Sequence, residues 1–267
     1  MKFKNRNSVF RLFFFLVLIT TSLLFVVSST ATGRDFYALK TYHLQNQQQV
    51  EQVEKYLKEA YLPALHRAGI KKVGVFKPIE ENTEIGLLLF VWLPLKSLEQ
   101  FANLNELLEK DKDYRAAGAE YLEAPYNKAP YQRIETILMK AFADMPEFVA
   151  PAHTTPPSQR VYELRSYEGP TEKIFQKKVE MFNAGGEIAL FKKLNFNAVF
   201  YAEVISGSAM PNLMYMTTFQ DMKTHDERWD TFRNHPEWKV MSALEKYKNT
   251  VSNSTKYLLK PTDYSDI

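Results

Sequence analysis

"YALKTY" spans Tyr37–Tyr42 and "YELRSY" spans Tyr162–Tyr167. Tyrosine, leucine and tyrosine recur at the same places, Lys40 matches Arg165, and Thr41 matches Ser166. Side chains alternate across a strand, so each stretch presents one face of Tyr, Leu and Thr or Ser and an opposite face carrying the cation. The same strand written twice, 125 residues apart, indicates an internal repeat.

Laying residues 36–142 over residues 160–264 extends the match. Each half opens on a strand and continues into an amphipathic helix. Val50, Val53, Leu57, Ala60, Tyr61 and Leu65 form one helical stripe; Ile174, Val179, Phe182, Ile188 and Phe191 form another, interrupted by Gly185-Gly186. Two strands follow in each half, "VGVFKPI" and "EIGLLLFVWL", then "FNAVFYAEVIS" and "NLMYMTTF". A second helical region and a closing strand, "RIETILMKAF" or "KYLLKP", complete the order β-α-β-β-α-β twice. Such a unit folds as a ferredoxin-like sheet with both helices on one face. Two of them can cover each other's bare faces. The expected architecture is therefore α+β: two tandem ferredoxin-like units forming a barrel. The expected boundaries are residues 36–142 and 160–264, joined by a proline-rich linker over 143–159.

The stretches "VYELRSYEGP", "FKKLNFNAVFYAEVISG", "LMYMTTFQDMKTHDERWDTFRNHPEW" and "KYLLKP" carry a resemblance. The second half resembles the NIPSNAP family, a branch of the dimeric α/β-barrel superfamily, over residues 160–264. The first half resembles the same fold more loosely, through "YALKTY" and "EIGLLLFVWLPLKSLEQF". The resemblance implies the fold. It implies little chemistry, because the superfamily mixes oxygenases, haem enzymes and proteins of unknown activity.

Residues 1–31 read as an export leader. Lys2, Lys4, Arg6 and Arg11 form a basic start, Leu12–Val27 is apolar, and Ser29 and Ala31 suit cleavage after Ala31. The expectation is a periplasmic or secreted protein with no membrane segment after cleavage. An uncleaved leader would instead anchor it. Without those residues the formal charge of +3 becomes −1, since the leader carries four basic side chains and no acid. That removes the case for nucleic-acid binding. The absence of cysteine excludes disulfides, thiolate metal sites and a cysteine nucleophile.

No GxSxG, HExxH, Walker loop or dinucleotide fingerprint is present. The candidate ligand-binding residues come from the opening strands and one neighbour: Lys40, Tyr42, Glu163, Arg165, Tyr167 and Glu203. Assigning the Tyr/Leu face to the helices turns Lys40 and Arg165 into the barrel. There a cation must be paired, with Glu163 or Glu203 the available acids, or must bind an anion. Phe200, Tyr201, Met214 and Met216 are candidates to line a cavity or to fill a core. Trp229 and Phe232 read as core.

His153 falls in the linker and reads as solvated. His225 and His235, ten apart, lack helical metal spacing and read as polar helix positions. No motif calls for a cofactor or metal; the resemblance leaves haem, with an axial histidine, as the one cofactor reading. "NST" at Asn253–Thr255 matches a glycosylation sequon. The leading expectation is an exported NIPSNAP-family protein without assigned activity. It would bind a small molecule or protein partner through a barrel cavity or surface, and a homo-oligomer is compatible with it. The alternative is a cofactor-free or haem-dependent oxygenase acting on an apolar or aromatic substrate.

Overall fold

The computed structural model describes residues 33–79 and 87–267. The leader, and the first residues of the strand read from Glu84, lie outside the described residues. The first unit runs β1 (Phe36–Leu44), α1 (Gln47–Tyr56), a π-helical turn at Leu57–Tyr61, α2 (Leu62–Arg67), β2 (Gly74–Pro78), β3 (Leu87–Leu95), α3 (Leu98–Lys110), α4 (Lys112–Leu122) and β4 (Arg133–Ala141). The second runs β5 (Val161–Glu168), α5 (Glu172–Phe182), α6 (Glu187–Lys193), β6 (Asn197–Ser206), β7 (Asn212–Phe219), α7 (Met222–Asn234), α8 (Pro236–Ala243) and β8 (Asn253–Pro261).

Matching caps start the matching helices. Asn46 and Thr171 accept from the amides of Gln49 and Ile174 at the entry to α1 and α5. Ser97 and Asp221 accept from Gln100 and Thr224 at the entry to α3 and α7. Each satisfies a backbone donor that the first helical turn leaves free.

The eight strands close into one antiparallel barrel in the order β1-β3-β2-β8-β5-β7-β6-β4. Each unit contributes four neighbours in the same internal order, its last strand, first, third and second. The units meet at two seams. Phe76–Pro78 pair with Leu259–Pro261, and Leu138–Ala141 pair with Ala202–Ser206 across a bulge.

Side chains fill the interior, as a barrel of eight strands allows. Tyr37, Trp92, Tyr162 and Phe200 are fully buried there. Trp92 stacks on Phe200 with centroids 5.8 Å apart, and Tyr37 lies 5.3 Å from Trp92. Phe148, from the segment between the units, packs on Trp92 at 5.0 Å, and its amide donates to Asp35. That segment and Ile267 close one end of the barrel.

This arrangement reverses the assigned strand faces. Tyr37, Leu39, Tyr162 and Leu164 point into the barrel, while Lys40, Tyr42, Glu163, Arg165 and Tyr167 lie on the helix side. The helix layer, rather than the ring-packed interior, supplies the guanidinium with Glu163 as its partner. Phe200, Met214 and Met216 are interior core, whereas Tyr201 belongs to the helix layer. Among the described residues no helix is long and apolar enough to cross a membrane.

Candidate functional site

Glu163 is the centre of the polar group beneath α7. Its side chain is fully buried. One carboxylate oxygen accepts from Arg165 Nε at 2.9 Å and from a second guanidinium nitrogen at 2.8 Å. The other accepts from the Trp229 indole and pairs with His225 Nε2 at 3.2 Å. Arg165 also donates to Tyr167 Oη at 3.0 Å, which lies 3.0 Å from Tyr215 Oη, and its guanidinium sits 3.9 Å above the Trp229 ring. His225 Nδ1 contacts Asp226 at 2.8 Å.

Burial pushes the Glu163 pKa up, but His225 and Arg165 outweigh it and hold the carboxyl below its usual range. His225 is the mirror case. Burial disfavours its charge, yet Glu163 and Asp226 raise its pKa above the ordinary value. With both oxygens engaged, this carboxylate orients its neighbours; it has no free lone pair aimed at solvent to act as a base.

The acid read beside Arg165 is therefore its partner. Glu203, the other candidate, accepts instead from Gln176 at 3.0 Å. Lys40 and Tyr42 sit in the helix layer of the first unit, away from these residues. The Lys40 ammonium lies 5.1 Å from the Tyr61 ring centroid, and burial lowers its pKa, with Tyr131 partly opposing. So the six candidate residues form no single site. His225 is a helix position, as read, and is buried; His153 bonds Thr218 at 2.5 Å rather than being solvated. A signal for the missed pair did exist: His225 and Trp229 are four apart, which puts them on one helix face.

A cavity of about 590 Å³ lies between the inter-unit segment and the second unit, and none of these polar residues lines it. Met145, Pro146, Val149 and Ala150 of the inter-unit segment form one wall. Ile188 and Lys192 of α6, with Phe196, Asn197, Ala198 and Tyr201 around β6, form the other. Asp144 and Glu147 are its carboxylates. Phe196 is shared with the polar group behind, its ring edge-on to Trp229 at 5.0 Å. The volume and apolar walls are those of small-ligand pockets.

No histidine is placed to ligate a haem held in this cavity. None of the five histidines lines the cavity. His225 is held by two carboxylates, His66 contacts Asp266 at 2.8 Å, and His235 caps α8.

Residues 162–266 match the NIPSNAP family. The second unit is a NIPSNAP domain. Within this domain lie Glu163, Arg165, His225, Trp229 and the α6–β6 wall of the cavity. No curated relative matches the chain. In fold, the whole chain is similar to a protein provisionally named a monooxygenase from Lactobacillus acidophilus NCFM, with TM-score 0.55, 9% identity, and coverage of 85% of this chain and 94% of that one. It is likewise similar to one so named from Fusobacterium nucleatum subsp. nucleatum, with TM-score 0.56, 7% identity and coverage of 86% and 93%. A NIPSNAP family protein from Agrobacterium tumefaciens str. C58 covers 40% of this chain and 97% of itself at 18% identity, with TM-score 0.36. The two whole-chain likenesses show a shared dimeric α/β-barrel fold, here closed within one chain.

Proposed function

We propose that this protein binds a small apolar molecule in the cavity between the inter-unit segment and the α6–β6 wall of its NIPSNAP domain. The observation that carries the reading is the cavity itself: about 590 Å³, walled by Met145, Val149, Ile188, Phe196 and Ala198, with Lys192 and Asn197 placed to orient a polar end. The interior of the barrel is packed with side chains, so this cavity replaces the barrel lumen as the binding place. The Glu163 group supports its back wall through Trp229 and Phe196.

The test uses 8-anilinonaphthalene-1-sulfonate, whose fluorescence rises in apolar surroundings. The full chain binds it with Lys192 facing the sulfonate. Ala150→Trp, a change at an exposed residue of the wall, abolishes that binding without altering thermal unfolding. Equal binding by wild type and Ala150→Trp would place the dye elsewhere and sink the reading.

A competing reading, an oxygenase acting on an apolar or aromatic substrate, would use the same cavity, with Asp144 and Glu147 as the carboxylates able to draw a proton from it. Oxygen uptake on adding anthrone, lost in the Asp144→Asn, Glu147→Gln double variant, would replace binding by catalysis. Export is part of the proposal. N-terminal sequencing of the mature protein beginning at Thr32 supports it, and an intact Met1 in the membrane fraction would make it an anchored protein instead.

A further inference from the structure

A second groove, of about 810 Å³, lies on the first unit, between the start of α1 and the segment that follows α4. Its chemistry differs from that of the apolar cavity. Seven of its fourteen lining residues are amides: Gln45, Asn46, Gln48, Gln49, Gln52, Asn127 and Gln132. Two of them tie the walls together. Gln49 Nε2 donates to the Ala129 carbonyl at 2.8 Å, and Gln52 Nε2 donates to the Glu120 carbonyl at 3.3 Å. The groove therefore has a set width before any ligand arrives. At its rim the Tyr126 side chain stands 97% exposed.

Gln49, Gln52 and Asn46 are engaged within the protein; the other amides, Gln48 and Asn127 among them, offer donors and an acceptor and no charge. A matching ligand alternates donors and acceptors and is neutral, which describes a hydroxyl-rich molecule. The ionisable side chains of the lining are Glu120, Lys128 and the tyrosines, and Glu120 is already paired with Lys55 at 2.8 Å. The remaining cation, Lys128, is exposed and screened by solvent, so the groove holds a phosphate or an acidic chain only weakly. A peptide laid as an added strand needs a free sheet edge, and a closed barrel has none. Tyr126 supplies what a sugar ring needs besides hydrogen bonds: a rigid flat surface for the apolar C–H face, immobilised at low conformational cost.

We infer that this groove binds a neutral oligosaccharide, with Tyr126 as the stacking platform and the amides of Gln48 and Asn127 reading its hydroxyls. The experiment is isothermal titration of the full chain with maltohexaose, cellohexaose and chitohexaose. At least one gives saturable binding heat. Tyr126→Ala weakens that binding about tenfold, equivalent to about 1.4 kcal/mol. Gln48→Ala and Asn127→Ala each weaken it further, and thermal unfolding stays at the wild-type temperature in all three. Ala150→Trp, which fills the other cavity, leaves it unchanged. The inference is overturned if none of the three sugars binds, if Tyr126→Ala binds like wild type, or if a glutamine-rich peptide titrates the groove and the sugars do not.

Discussion

Lys40 in β1 and Arg165 in β5 hold the same strand position, and both face the helix layer of their unit, yet their surroundings have little in common. Arg165 has Glu163 two residues before it, Trp229 beneath it and His225 beyond. In the first unit Ala38 stands where Glu163 does. Counted from the N-caps Ser97 and Asp221, Phe101 stands where His225 does. Lys40 is left among tyrosines, with Tyr61 and Tyr131 near it. The difference follows from the two cations. A guanidinium stays charged in any protein environment, so burying it demands a carboxylate and stacking. A lysine can lie along apolar surface on its flexible stem and give up its proton more readily, so a tyrosine-rich layer suffices.

The sharpest way to break this comparison is to delete both cations. Arg165→Leu strips Glu163 of its permanent cation, leaving His225 as the one charge partner of a buried carboxylate, and costs about 3–5 kcal/mol of stability. Lys40→Leu stays within about 1 kcal/mol of wild type, since no acid is stranded. Urea midpoints measure both, and equal losses would mean that the two units treat their cations alike. A smaller effect comes from Trp229→Phe. It keeps the ring under the guanidinium but removes one donor to Glu163, at about 1–3 kcal/mol.

The smallest effects are in the pH dependence, and their signs differ between the units. His225 has a raised folded pKa. Its stabilisation is complete below the unfolded value, about 6.5, and is lost as pH rises through the folded value. Lys40 has a lowered folded pKa. Its charge is therefore a burden below that value, and stability climbs as pH rises from there toward the unfolded value of about 10.4. Glu163 has a lowered folded pKa, so its contribution is present above about 4.3 and is lost as pH falls through the folded value. Unfolding midpoints across pH for wild type, His225→Gln and Lys40→Met isolate the first two limbs. A His225→Gln profile that parallels wild type between neutral and alkaline pH would remove the histidine from the account.

The repeat and its strand order were legible because hydrophobic periodicity and turn residues are local, and the same local pattern occurs twice. The strand faces were not. In β1 and β5 both faces are covered, one by the barrel interior and one by helices, so polarity does not tell inside from outside. Alternation places Glu163 on one face with Arg165, which makes it an available partner but does not choose it over Glu203. His225 and Trp229 reach Glu163 only because α7 lies across β5, a contact separated by 62 and 66 residues that no window along the chain contains. The cavity was hidden for the same reason. One of its walls is the proline-rich segment, which reads as a spacer until the fold lays it against Phe196 and Ala198.

The seams give the last consequence. Two identical subunits forming such a ring must carry every substitution twice, once in each copy. Here the halves share one chain, and the 143–159 stretch keeps them at a high effective concentration, so the ring survives dilution and each half is free to change alone. An acid at 163 needs no acid at 38, and a groove of amides on one side needs no twin on the other. Asymmetry of function is what tandem linkage permits and what a symmetric pair forbids.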